Sequence, residues 1–193
     1  MGLIVYLGQS PSLTSSNNFI NYCSTMSQLT NGAQQQGQSC NPTPMGQLPS
    51  SDAIPSTKFS QPLNDDTIQE NTPFNISFTG SNLGASPPVN SLTNFLAAPQ
   101  QLNSNGLIIG HYHLVVESLT SFSQTAFTNP SQFSFFKEVF DPTVPTQMSG
   151  LSAGFYRASV SVHAANHQPI IPPVSQHGST GDAVYVRSLL SLN

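Results

Sequence analysis

Charge is what this sequence has least of. Lys, Arg, Asp and Glu together make up 6% of the chain, against about 25% in an ordinary soluble protein. Only four cations occur in 193 residues, Lys58, Lys137, Arg157 and Arg187. A protein that grips nucleic acid displaces counterions with clustered Lys and Arg, and four dispersed cations build no basic stripe. Nucleic acid is therefore excluded as a partner class. Long apolar runs are missing too, since nothing approaches the roughly 20 residues of a membrane-spanning helix. There is no GxGxxG or P-loop phosphate cradle and no internal repeat. The net charge of −4 is too small to point to a partner, and too small for the high-charge signature of disorder. Twelve Phe and five Tyr, many in periodic runs, indicate a packed core. The expectation is one ordered domain with a polar, uncharged surface, a style common outside the cell.

Cysteine is scarce as well. Cys23 and Cys40 lie in a stretch rich in Gln, Gly, Ser and Asn. Their spacing does not fit a CxxC redox or zinc motif. In a secreted chain they would pair, closing a short loop worth about 3 kcal/mol in the chain-entropy picture; in a cytosolic chain they would be two free thiols. The disulfide is the expected state. Residues 1–8, within "MGLIVYLGQSPS", read either as the remnant of a signal peptide or as a first strand, because the apolar run is short and no basic segment precedes it. Asn75 in "FNIS" is a glycosylation acceptor if the protein is secreted.

Residues 10–72 are dense in turn formers, with a short helical turn expected near Phe19 to Met26. Strict alternation then marks strands. In "FNISFT", Phe74, Ile76 and Phe78 share one face. In "GFYRASVSVH", Tyr156, Ala158, Val160 and Val162 point inward, and Arg157, Ser159, Ser161 and His163 point to a wet face. A final strand is expected in "AVYVRSLL". Between them, Asn129 can cap a helix, Pro130 suits its first position, and Phe133, Phe136 and Phe140 recur at helical spacing. The sum is a mostly β domain over residues 9–193. It is expected to be an antiparallel β-sandwich or barrel-like, with one short helix at about 130–140 and long Pro-rich loops.

The chemistry-bearing stretch is "GLIIGHYHLVVESL", residues 106–119. On a strand, His111 and His113 project to the same side about 6.6 Å apart at the backbone, close enough for two imidazoles to close on one ion. Glu117 falls on that face, and Ile109, Val115 and Leu119 would keep it dry. Buried imidazoles need partners: a metal, or loop carbonyls. His167 in "ANHQP" and His177 in "SQHGS" lie in the following loop and would complete a set of three or four nitrogen ligands if that loop folds over the pair. Such a set suits zinc or copper.

The spacing H-x-H-x3-E also matches the first metal motif of cupins over seven residues. The expected glycine falls on Asn105, next to Gly106, and Arg157 stands where a second motif would need histidine. "GLSAG" fits the G-x-S-x-G of hydrolases at Ser152, but a proline-broken segment precedes it and a strand follows, the wrong setting for a nucleophile elbow.

Several stretches together resemble a large family of small secreted fungal proteins, common in mushroom-forming species and often carrying a misleading ribosomal-protein label. They are "SCNPTPMGQLPS", "AIPSTKF", "FLAAPQQLNSNGLIIGHYHLVVE", "FSFFKEV", "AGFYRASVS" and "ANHQPIIPPVSQHGS", spread over roughly residues 15–186. The resemblance implies a fungal source, secretion and one disulfide-bearing domain, and no particular activity. His111, His113, His167 and His177 fall within these motifs, whereas His163 stands where a small polar residue is expected. Three functions follow in order: a secreted, non-catalytic protein binding Cu or Zn; a cupin-like metal enzyme using Glu117; and a cell-wall or matrix protein that binds glycan or self-associates. An exposed row of aromatics would mark the third, although alternation places most Phe inward.

Overall fold

The computed structural model describes residues 15–190. They are mostly β, arranged as two sheets that do not close into a barrel. Among the described residues the helical content is a single 3₁₀ turn, Ser51–Ala53, and no helix is long and apolar enough to cross a membrane. The reading of residues 1–8 lies outside the described residues.

The smaller sheet has the order β1 (Ser56–Gln61), β3 (Phe74–Ser81), β7 (Thr146–Met148). The larger runs β2 (Thr67–Gln69), β9 (Asp182–Leu189), β8 (Gly154–Ala164), β5 (Ile108–Leu119), β4 (Leu83–Ala85). A further strand, β6 (Phe135–Val139), continues beyond β4 on the same edge of β5. Most pairings are antiparallel; β2 with β9 and β4 with β5 are parallel.

The alternating strands behave as their patterns require. Ile76 and Phe78 of β3 face Tyr112, Leu114 and Val116 of β5, with Tyr156, Ala158, Val160 and Val162 of β8 beside them, all buried in one core. Phe78 meets the ring of Tyr112 edge-on at 5.3 Å. Each large side chain so buried contributes about 1.5–3 kcal/mol.

The expected helix at 130–140 is a correction. Asn129 does cap, its Oδ1 accepting from the Ser131 amide at 3.0 Å, but the chain makes only one turn. It then runs along β5 as β6, with Phe135 packed on the core and Val139 buried in it. A lone helix of ten residues is marginal, whereas the open edge of β5 offers five paired residues, Tyr112 to Val116. Phe133, Phe136 and Phe140 are consequently exposed. The segment near Phe19 to Met26 is a succession of turns. Cys23 and Cys40 form a disulfide there, 17 residues apart in sequence. Asn75 is exposed on β3, opposite Gln147.

Candidate metal centre

Tyr112, Leu114 and Val116 of β5 enter the core, and the odd-numbered residues His111, His113, Val115 and Glu117 line the opposite, outer face of the large sheet. That face is not bare around His111. Residues 86–100 lie across it, tied down by Ser86 N–H to the Gly110 carbonyl (2.8 Å), Val89 N–H to Ala165 (2.9 Å) and Leu96 N–H to Asn166 (2.9 Å). His111 is completely buried, with the rings of His113 and His167 each 4.9 Å from its own.

Three segments converge on this spot. β5 supplies His111 and His113, whose Nε2 atoms lie 2.9 Å apart. β6 supplies Glu138, directly opposite His113. The turn after β8 supplies His167, which sits at φ +73°, a left-handed conformation that His tolerates better than most residues. The turn is closed by His167 N–H donating to the Ala164 carbonyl at 2.9 Å. One donor atom from each of His111, His113, Glu138 and His167 lies within 4.8 Å of every other. Four ligands at tetrahedral zinc distances would be about 3.4 Å apart, close to the 2.9 Å between the Nε2 atoms of His111 and His113 and the 3.6 Å between His167 Nδ1 and Glu138 Oε1.

The hydrogen bonds also orient the lone pairs. The Nε2 of His167 lies 2.8 Å from the Val89 carbonyl, which can only accept, so Nε2 carries the proton. In the neutral ring, Nδ1 then presents a lone pair, and it faces Glu138 Oε1 at 3.6 Å. A metal ion between the two acceptors would satisfy both, as would a proton on Nδ1 that makes the pair an imidazolium–carboxylate bridge. The Nδ1 of His111 is buried with no hydrogen-bond partner among the described residues. Whichever nitrogen of that ring holds the proton, a polar group is left unmet, at a cost of about 1–3 kcal/mol. Buried polar atoms are rarely orphaned in a merely structural setting.

Electrostatics favours neutral rings. Burial, and then the nearby His167 and His163, lower the pKa of His111 to about 4. Burial, followed by His163, His111 and His167, lowers that of His113 to about 3. Burial also lowers His163, opposed by its bond to the His167 carbonyl. Neutral imidazole is the form that ligates metals.

Of the histidines singled out in the sequence, His111, His113 and His167 come together. His177 does not join them; it is exposed, its Nδ1 donating to the Gly178 carbonyl at 2.7 Å. Glu117 lies on the right face but about 13 Å along the strand from His113, and Arg157 holds its Oε2 at 2.6 Å. With Glu117 so engaged and no closed barrel, the cupin pattern does not apply. Ser152 is an exposed turn residue whose carbonyl accepts from the Tyr156 hydroxyl at 2.9 Å.

Two residues of the site escape the sequence patterns. Glu138 falls in the segment whose spacing predicts a helix and which runs as β6. Alternation puts His163 on the wet face, yet it pairs with His111 across β5 and β8 and stacks on His113 at 3.8 Å and 18°. Its Nδ1–H donates to the His167 carbonyl (3.1 Å) and its Nε2 accepts from the Ser161 hydroxyl (2.9 Å). Both nitrogens are therefore occupied, and His163 holds the ligands in place without offering one.

Comparison with known proteins adds the family. The model of the CLU5d N-terminal domain matches residues 57–188. The chain belongs to that family. It is also 37% identical over 182 residues to "Pathogenicity cluster 5 protein d" of Colletotrichum graminicola, covering 91% of this chain and 38% of that relative. The chain thus spans well under half the length of the curated relative it matches. No solved structure matches. A fungal family agrees with the source that the motifs implied. The part matched by the CLU5d N-terminal domain contains His111, His113, Glu138, His163 and His167, and leaves Cys23 and Cys40 outside it.

Proposed function

We propose that this domain binds one transition-metal ion through His111, His113, His167 and Glu138, in a secreted fungal protein without catalytic activity of its own. The observation that carries the reading is the convergence of four ligand-type groups: the opposed Nδ1 of His167 and Oε1 of Glu138, beside the hydrogen-bonded Nε2 atoms of His111 and His113. Three imidazoles and one carboxylate suit Zn(II) or Cu(II) over hard, oxygen-preferring cations. Four protein ligands make a closed site of the structural kind, which would staple β5, β6 and the turn after β8 to one another. The disulfide supports an oxidising, extracellular setting. Asn75, exposed on β3, is the proposed glycan acceptor there. The relative's name ties that protein to a pathogenicity cluster, and the same biological setting is inferred for this chain.

Metal content measured by mass spectrometry on protein from a secreting eukaryotic host tests the site. The wild type should carry close to one equivalent of zinc or copper, and the His111→Ala/His113→Ala double variant should carry none. Glu138→Gln should keep the fold and lose at least tenfold in affinity, whereas His177→Ala should match the wild type. Absence of metal from the wild type, together with a melting temperature indifferent to added zinc, copper or chelator, would overturn the proposal.

A further inference from the structure

The outer face of the large sheet carries a second feature at its other end. Residues 120–134 leave β5, pass beside Arg157, whose guanidinium reaches the Thr128 hydroxyl at 3.3 Å, and return as β6. Their path walls two adjoining clefts of about 360 Å³ and about 500 Å³, within the range of small-ligand sites, about 300–1,000 Å³. Phe127 lines both clefts and is fully exposed. Tyr185 walls the first and Phe133 the second. Beyond Phe133 lies a further exposed ring, Phe136, 6.1 Å away. Single exposed hydrophobes are ordinary, but several exposed rings gathered about two adjoining clefts mark an interaction surface.

The rest of the lining defines what fits. Between the rings lie hydroxyls and amides, among them Ser118, Thr120, Thr128 and Gln132. The one charged side chain in the lining, Arg157, is already neutralised by Glu117 at 2.6 Å. The clefts therefore hold no net charge to recruit a phosphate, a carboxylate or an amine. A protein partner would call for a continuous apolar centre with a polar rim, and here polar groups separate the rings.

We propose that the two clefts form a binding site for a neutral glycan chain. A pyranose ring has an apolar C–H face and a rim of hydroxyls, the same mixture that the clefts display. Phe127, Phe133 and Tyr185 act as platforms for the C–H faces, and the side-chain hydroxyls and amides meet the rims. Two clefts sharing the Phe127 ring suit an occupant of several units over a compact metabolite. None of these residues is a metal ligand, so the site stands or falls independently of the metal reading.

The test is a calorimetric and NMR titration with three probes: a β-1,3-glucan hexasaccharide, a chitin hexasaccharide and, as the charged counterpart, a polygalacturonate hexamer. At least one neutral probe should bind and shift the signals of Phe127, Phe133 and Tyr185, while the charged probe does neither. Phe127→Ala and Phe133→Ala should each weaken that binding about tenfold with unchanged melting temperature, because both rings are exposed. Leu92→Ala, also exposed but outside both clefts, should bind as wild type. The proposal is overturned if neither neutral probe binds, if the polygalacturonate binds as well as they do, or if Phe127→Ala binds like the wild type.

Discussion

Acid should unfold the metal-free protein early, and the histidine cluster sets where. His111 titrates at 6.5 in the unfolded chain and at about 4 in the folded one, because burial and then its neighbours His167 and His163 oppose its charge. His113 is lowered further, to about 3. Between these values the unfolded chain binds protons that the folded chain excludes. Stability is therefore fully present above about pH 6.5 and is lost as the pH falls toward the folded-state values. At roughly 1.4 kcal/mol per pH unit, His111 alone removes about 3 kcal/mol by pH 4. The contacting ring of His113 deepens the loss, although two touching rings titrate as a coupled pair and not as a sum. Against a typical domain stability of about 5–15 kcal/mol, a loss of this size is large. Urea unfolding of chelator-treated protein between about pH 7.5 and about pH 4.5 measures it, in a window where most carboxylates remain ionised. The wild-type midpoint should fall steeply below about pH 6.5. A His111→Leu/His113→Leu variant should lose most of that slope, and His177→Ala should keep it. A flat wild-type profile, or an equal slope in the double leucine variant, would refute the reasoning.

Two further perturbations probe the scaffold of the site. A Cβ at Gly110 would sit 2.1 Å from the His163 carbonyl oxygen, so Gly110→Ala should force β5 and β8 apart just before His111. A loss of about 1–3 kcal/mol is expected, with weakened metal binding, read by chemical denaturation and metal titration; a variant as stable as wild type would show that the strands yield freely. Arg157→Met strands the Glu117 carboxylate, which is only 10% exposed at its side chain. It should cost about 1–3 kcal/mol, and Arg157→Met/Glu117→Gln should recover part of that loss in a double-mutant cycle.

Much of the fold could be read from alternation. β3, β5, β8 and β9 follow it closely, and it put His111 and His113 on one face correctly. What failed was tertiary. Asn129, Pro130 and the spacing of Phe133, Phe136 and Phe140 carry a true local helix signal, and only the unpaired edge of β5 outweighs it. Glu138 goes with that segment. Alternation gives His163 its face, but nothing local says that this face is covered or that it is the one carrying His111. One clue was available. Glu117 and Arg157 are opposite charges on two strands in a chain with few charges; pairing them fixes the antiparallel register, and six residues back along β5 and six forward along β8 bring His111 opposite His163.

β5 is in effect two messages interleaved on one strand. Its even positions Tyr112, Leu114 and Val116 are written for the interior and leave little freedom, since each is buried in the core that both sheets share. Its odd positions are read on the other side, by loops whose sequences are under separate constraint. A lineage could exchange the odd letters, trading imidazoles for other side chains and so one ligand for another, while the even letters keep the architecture intact. An inserted or deleted residue has no such latitude: it transposes the two messages at once, sending imidazoles into the core and the Tyr112 and Leu114 side chains outward. Variation in this strand should therefore proceed by substitution at every second position, and length changes should be confined to the loops beyond it.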